Sequence, residues 1–382
     1  MITWYLNNTE ELVSDIRISR LADILVNHST KLKPGERCLI TATTQAEPLV
    51  RELYKKILEA GAHPLVLMDF PDQEEVLMMD GNDDQLKYLN PFKELAYNEY
   101  ESRINIHSSA DPRALGKIDP AKLGLRSKAM KPVLEAQMRR GATGEFKWVT
   151  TLFPTQGYAN EAKMSLKDYE DFVYSACFAD EEDPVAHWRK IQVEQDEIVK
   201  RVNNREWFEL KGPNVDLRVS TKGRTFINCY GVNNMPDGEV FTGPVEDSAI
   251  GWVKYTYPAI YNGVAVEGIR LEFANGKVVK ATSDTNEKYL LQMLDSDDGS
   301  RYLGEFAIGT NFGINKFTGH ILFDEKIGGS FHMALGAGYP ETGAKNRSAI
   351  HWDMICDLRT DSEIRADGEL LCGIKLLVQQ VY

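Results

Sequence analysis

Residues 37 to 69 read as strand, helix, strand, and this pattern restricts the fold more than any other stretch of the chain. Lys33-Pro34-Gly35 is a turn signal, and Arg37-Cys38-Leu39-Ile40-Thr41-Ala42 after it is a short apolar run suited to a buried strand. A helix is predicted to begin near Glu47-Pro48. Leu49, Leu53, Ile57 and Ala60 recur at helical spacing, Val50, Tyr54 and Leu58 widen the stripe, Glu52 and Lys56 form an i,i+4 pair, and Gly61 stops it. Pro64-Leu65-Val66-Leu67-Met68-Asp69 follows as a second strand. Two strands joined through a helix lie parallel, because a tight turn cannot return the chain to the same end of a sheet.

At 382 residues the chain is too long for one ordinary core, so two domains are expected. Charge-rich helical stretches fill much of the region from Pro91 to Asn203. The segment from Trp188 to Val202, with Ile191, Ile198, Val199 and Val202 apolar, reads as a helix connecting the halves. Beyond Asn203 the period changes. Val215, Leu217 and Val219 alternate with Asp216, Arg218 and Ser220, as in a half-buried strand. Val266, Gly268 and Arg270 alternate with Glu267, Ile269, Leu271 and Phe273, and Asn275-Gly276 before Lys277-Val278-Val279 is a hairpin signal. The expected fold is an α/β N-terminal domain with a parallel sheet over residues 1–204. A β-rich α+β domain over residues 205–382 is expected to carry the chemistry.

Several function classes are disfavoured. A formal net charge of −13 argues against binding nucleic acid or an anionic membrane, both of which need a basic surface. The five cysteines (Cys38, Cys177, Cys229, Cys356, Cys372) are scattered without a C-x-x-C, which suits free thiols in a reducing compartment. The opening MITWYLNNTEELVSD has neither the basic nor the apolar region of a signal peptide, and no apolar run approaches the ~18 residues that span a bilayer. Cytoplasmic location is the expectation. The sequence has no H-E-x-x-H, no G-x-S-x-G and no G-x-x-x-x-G-K-[ST]. Asp295-Ser296-Asp297-Asp298-Gly299 has its glycine one position early for a calcium loop and reads as an exposed acidic turn.

The informative stretch is Ala349-Ile350-His351-Trp352-Asp353-Met354-Ile355. As a strand it puts Ile350, Trp352 and Met354 on one face, and His351 with Asp353 side by side on the other. An imidazole and a carboxylate buried together need a partner. Mutual hydrogen bonding or a neighbouring arginine would serve, and so would a shared metal ion. His332 lies in small and apolar surroundings, Gly329-Ser330-Phe331-His332-Met333-Ala334-Leu335-Gly336, where a satisfied core histidine is the plain alternative. Glu305 sits in the strand-like Tyr302-Leu303-Gly304-Glu305-Phe306-Ala307-Ile308-Gly309, where it could mark the solvent face of an edge strand. Glu239 leaves the turn Met235-Pro236-Asp237-Gly238, where a glutamate is usually solvated. Together these are two glutamates, two histidines and an aspartate, the ligand set of a two-metal hydrolase.

These same residues carry a family resemblance. Asn234-Met235-Pro236-Asp237-Gly238-Glu239-Val240-Phe241 and Arg301-Tyr302-Leu303-Gly304-Glu305 are two of its motifs. Leu322-Phe323-Asp324-Glu325 through His332-Met333-Ala334-Leu335-Gly336 to Tyr339 is a third, and Asn346-Arg347-Ser348 through His351-Trp352-Asp353-Met354 a fourth. They resemble the aminopeptidase T family of metallopeptidases, also called thermophilic metalloproteases, which includes aminopeptidase S. The resemblance covers nearly the whole chain; the first dozen or so residues look like an extension.

The resemblance implies that Glu239, Glu305, His332, His351 and Asp353 bind two divalent metal ions, zinc by abundance, with cobalt or manganese as alternatives. It further implies that Tyr339 is a catalytic tyrosine and that a homodimer acts on short peptides with a free N-terminus; in a two-metal mechanism a glutamate, Glu305 or Glu239, would carry the proton to the leaving amine. Two other readings of the cluster are a phosphoesterase-like two-metal hydrolase and a non-catalytic ligand-binding protein.

Overall fold

In the computed structural model, which describes residues 15–372, the Arg37–Thr43 and His63–Asp69 strands pair in parallel, from Arg37 opposite His63 to Thr43 opposite Asp69. The leader and extension readings of the first dozen residues lie outside the described residues. The Glu47–Glu59 helix crosses between the two strands and buries Leu49, Val50, Leu53 and Ile57. Tyr54 and Leu58 face solvent instead of widening the stripe, because the helix is covered on one side only.

The Ser102–His107 and Lys147–Leu152 strands extend this sheet in parallel. Both fall in the region expected to be mainly helical. Helices do dominate it, at Pro91–Glu99, Pro120–Ala142, Gln156–Glu161, Leu166–Ala176 and Pro184–Val202. The strands were hidden by polar residues inside the sheet. Arg103 is half-buried and bonded to Tyr97 and, at 3.0 Å, to Gln137, while Asn105 accepts from Thr41 at 2.8 Å. A strand whose polar side chains are satisfied internally lacks the continuous apolar run of a buried parallel strand.

The fifth strand of this sheet is Asn234–Met235, beside Lys147–Leu152. A cis Met235–Pro236 bond and the Asp237-Gly238 turn then lead into Glu239. Asp183 caps the Pro184–Val202 helix by accepting from Ala186 N at 2.9 Å. Its Trp188 and Ile191 pack into the parallel-sheet core and its Ile198 and Val202 into the second core, so one helix joins both.

The later part of the chain forms antiparallel sheets. A seven-stranded sheet runs in the order Lys277–Thr282, Arg270–Ala274, Ile250–Lys254, Val215–Ser220, Trp207–Gly212, Glu363–Ala366, Glu369–Cys372. The hairpin at Asn275-Gly276 is present, with φ of 49° and 77° at its two turn residues, as a two-residue primed turn requires. The stretch from Val266 to Phe273 is not one strand. Val264–Val266 pairs with Ala259–Tyr261, and Gly268, at φ +66°, breaks the chain before Arg270–Ala274 begins.

A five-stranded sheet packs on the seven-stranded one, in the order His351–Asp357, Ser330–Gly336, Leu303–Gly309, Glu239–Thr242, Ile227–Cys229. Its inner face supplies Val240, Phe306, Ile308, Phe331, Met333, Leu335, Trp352, Met354 and Cys356 to the shared core. Burying each such side chain is worth roughly 1.5–3 kcal/mol, which fixes the register of the four strands that carry them. The cysteines Cys38, Cys177, Cys229 and Cys356 are free thiols. Among the described residues no helix is long and apolar enough to cross a membrane.

Candidate metal centre

The outer face of the five-stranded sheet is set by the same register. Residues opposite one another in an antiparallel pair share a face. Glu305 is opposite Ala334, which is opposite Asp353; Ala307 is opposite His332; Gly336 is opposite His351; and Gly309 is opposite Glu239. Acidic and imidazole side chains therefore alternate with Ala307, Gly309, Ala334 and Gly336. The small residues leave a basin above the strands into which the five polar side chains lean.

The structure brings all five together. His332 Nε2 lies 3.3 Å from Glu305 Oε1 and 3.4 Å from Glu239 Oε2. His351 Nε2 lies 3.4 Å from Glu305 Oε2 and 3.5 Å from Asp353 Oδ1. Two triads result, Glu239–Glu305–His332 and Glu305–His351–Asp353, each with its ligand atoms within 4.8 Å of one another and with Glu305 common to both.

The donor chemistry fits cations. Each imidazole has its other nitrogen tied to a backbone carbonyl, His332 Nδ1 to Glu325 O and His351 Nδ1 to Ala337 O, both at 2.8 Å. That arrangement fixes the tautomer and leaves Nε2 as the free ligand, as in protein metal sites generally. The Ala337 carbonyl is delivered by Gly336 at φ +99°, where a Cβ would lie 2.1 Å from Ile350 O. Glu239 Oε2 is buried without a hydrogen-bond partner, a costly state unless an ion satisfies it.

Electrostatics point the same way. Burial pushes the Glu239 carboxyl up to about 8 against the pull of Lys326, and burial also raises Glu305. Burial opposes charge on the imidazoles, but Glu305 and Glu239 hold His332 up at about 9, and Asp353 and Glu305 hold His351 up at about 10. A cluster that retains protons this strongly is one that divalent ions would occupy by displacing them.

Tyr339 stands at the rim, partly exposed. Its ring lies edge-on to His351 at 5.3 Å and to Phe241 at 5.4 Å. Burial and the carboxylates of Glu305 and Asp353 raise its pKa, so the hydroxyl keeps its proton. It is not a core aromatic.

The plain alternatives for the acids do not hold. Glu305 is in the middle strand of the sheet rather than at an edge, and Glu239, expected to be solvated, is 6% exposed. His320, the third C-terminal histidine, is not part of the cluster; it sits against His107. Asp297 is not merely an exposed acid: it accepts from Ser348 Oγ at 2.8 Å and Ala349 N at 2.7 Å, anchoring the segment that enters the His351 strand.

Sequence reasoning missed three neighbours. Lys326 is fully buried, in contact with Glu325 and 3.9 Å from Glu239 Oε1. Burial opposes its charge, but Glu325, Glu239 and Asp237 outweigh that and keep it protonated. Glu325 itself lies with His332 and Asp353 in a further group of candidate ligands. Asp237 accepts from Gly231 N at 2.8 Å, and burial pushes its carboxyl up to about 6. Asp237 and Glu325 lie inside the motifs that carry the resemblance, and Lys326 directly follows one; that position was their only sequence signal.

A cleft of about 770 Å³ separates this sheet from the parallel one. Asp353 lines one wall; Asn105, His107 and Ser108, at the carboxyl end of the Ser102–His107 strand, line the other. The carboxyl ends of parallel strands are where α/β sheets bind ligands.

Comparison with known proteins adds identity to this geometry. The profile of the thermophilic metalloprotease (M29) family matches residues 14–375. Aminopeptidase T of Thermus thermophilus is 30% identical over 359 residues, covering 85% of each chain. Aminopeptidase 2 of Geobacillus stearothermophilus is 27% identical over 407 residues, 92% of this chain and 95% of that one. The solved structure of wild-type AmpT from Thermus thermophilus superposes with a TM-score of 0.80 over 92% of this chain and 94% of that chain, at 24% identity.

Proposed function

The chain belongs to the thermophilic metalloprotease (M29) family, and from that premise we propose that it removes N-terminal residues from short peptides by means of a pair of divalent metal ions. The observation that carries the two-ion reading is the position of Glu305, one carboxylate oxygen turned to each imidazole. Glu239 and His332 would hold one ion, His351 and Asp353 the other, and Glu305 both. When bound, such ions supply Lewis acidity to the scissile carbonyl and make a water molecule nucleophilic near neutral pH.

The remaining work falls to side chains of the chain itself. The Tyr339 hydroxyl, kept protonated, would donate to the carbonyl oxygen as negative charge develops on it. Both Glu305 oxygens face imidazoles, so we give proton delivery to the leaving amine to Glu325 rather than Glu305. The Glu325 side chain is 17% exposed, open to solvent while close to His332 and Asp353. Lys326, 3.9 Å from Glu239 Oε1, would work against burial to favour the carboxylate form of Glu239.

The proposal extends to zinc as the resident ion, with cobalt or manganese able to replace it, and to a homodimer, both on the family resemblance. A reducing cytoplasm is supported by the free thiols. The test is hydrolysis of amino-acid anilides after chelation and after readdition of each metal. Activity that survives exhaustive chelation, or that appears on phosphate esters instead of anilides, would remove the reading.

A further inference from the structure

Across the cleft from Asp353, two imidazoles form a chain with a defined direction. His320 caps the Ile321–Asp324 turn, its Nδ1 accepting from Leu322 N at 3.3 Å. A nitrogen that accepts carries no proton, so in neutral His320 the proton is on Nε2. That nitrogen lies 3.4 Å from His107 Nδ1, which must then accept. His107 in turn carries its proton on Nε2. Among the described residues that N–H has no hydrogen-bond partner, and His107 lines the cleft.

The rings are held in place. His320 packs edge-on to Tyr158 at 5.3 Å and Phe323 at 6.1 Å. Burial pushes His107 down to about 4 and His320 down to about 3, so both stay neutral through the physiological range. Asn105, two residues earlier on the same strand, accepts from Thr41 through Oδ1 and lines the same cleft.

We propose that His107, with its proton placed on Nε2 by His320, donates a hydrogen bond to a main-chain carbonyl on the leaving-group side of the bound peptide. The inference rests on the aminopeptidase reading. With the amino end and scissile bond at the Glu305 cluster, a peptide running on past Asp353 into the cleft would bring its leaving-group side to the wall that carries His107. A neutral donor suits an amide oxygen better than a carboxylate. The cleft wall carries one ammonium or guanidinium group, Lys93, already 3.9 Å from Asp69, together with Asp324 and Asp353, so a terminal carboxylate would be repelled. His320 is a positioning residue that acts through His107.

The wild-type enzyme provides the first test. A tripeptide is compared with its analogue in which a trans-alkene replaces the second peptide bond, so that the acceptor oxygen is gone and no charge is added. The analogue should lose about tenfold in kcat/KM, chiefly through KM. His107→Phe should lose about tenfold more on the tripeptide than on an amino-acid anilide, His107→Gln should restore part of the loss, and His320→Phe should shift the same ratio by less. Equal hydrolysis of the tripeptide and its alkene analogue overturns the inference, as does an equal loss on both substrates in His107→Phe. A wild-type enzyme inactive on the anilide itself would sink the aminopeptidase reading and this inference with it.

Discussion

Glu305 Oε1 lies 3.3 Å from His332 Nε2 although the two residues are not opposite each other across their strands. Glu305 faces Ala334, and His332 faces Ala307. The contact is a diagonal one, made over two methyl groups, and it is available only because both intervening positions are small. Ala334 also faces Asp353, so it lies at the floor of the basin between both triads.

Ala334→Leu should therefore abolish the site without touching a ligand. Its branched side chain would occupy the space in which the carboxylates lean together. We expect metal content to fall below one ion per chain and anilide hydrolysis to drop by at least ~100-fold, while the opposite, core-facing side of the strand keeps the fold. Elemental analysis and circular dichroism on the same sample decide it; two bound ions in the folded variant would refute the basin argument.

The shared position of Glu305 makes a stoichiometric prediction. Glu239→Gln weakens one triad, so the purified variant should retain about one ion. Glu305→Gln weakens both triads and should retain about none, with kcat lower by ~1000-fold or more. Equal metal loss in the two variants would remove the special role of Glu305.

Tyr339 touches the site through ring contacts with His351 and Phe241 rather than as a ligand. Tyr339→Phe keeps those contacts and removes only the hydroxyl. Metal content and KM should stay close to the parent values while kcat falls by ~100- to 1000-fold, the usual cost of losing one oxyanion donor. Full turnover by this variant would end the assignment.

How much of this was legible beforehand depended on where each residue's partners lie. The Leu49, Leu53, Ile57 stripe and the Asn275-Gly276 turn speak through local geometry, which sequence carries directly. The candidate metal ligands stood out because His351 and Asp353 sit two apart in an otherwise apolar strand, and because the motifs resemble a known family. Glu239 alone gave the wrong impression, since a carboxylate after a turn looks solvated until Lys326 and His332 are seen around it. The Ser102–His107 strand was missed for a related reason. Arg103 bonds Tyr97 and Gln137 through Nη1, and Asn105 accepts from Thr41, contacts made across the fold that no periodicity records.

A pH-dependent contribution to stability is expected where the parallel sheet begins. Glu101 accepts from Arg37 N and Arg37 Nη2, both at 2.7 Å, clamping the starts of two neighbouring strands. The Arg37 guanidinium holds the Glu101 carboxyl down at about 2, below its ordinary 4.5. A depressed carboxyl stabilises the folded state above its unfolded pKa, and that contribution fades as pH falls from about 4.5 toward 2. Because the pair is substantially exposed, its worth is discounted to ~1 kcal/mol at pH 7. Glu101→Gln should show that deficit in urea unfolding at pH 7 and a smaller one at pH 3.5; a constant difference would contradict the clamp.

Lys326 supplies the last prediction. Its ammonium is fully buried among Glu325, Glu239 and Asp237, so Lys326→Met leaves three carboxyl groups without their fixed positive charge. In metal-free protein the loss should be about 3 kcal/mol, the scale for breaking a buried ion pair. Divalent ions held through Glu239 would return part of that charge. The gain in Tm on adding metal should therefore be larger in Lys326→Met than in the parent, because the ion is asked to neutralise what the ammonium neutralised before. Thermal unfolding of chelated and metal-loaded samples of both proteins measures the two gains. If they are equal, Lys326 and the metals do not act on the same carboxylates, and its place beside Glu239 has no electrostatic consequence for the site.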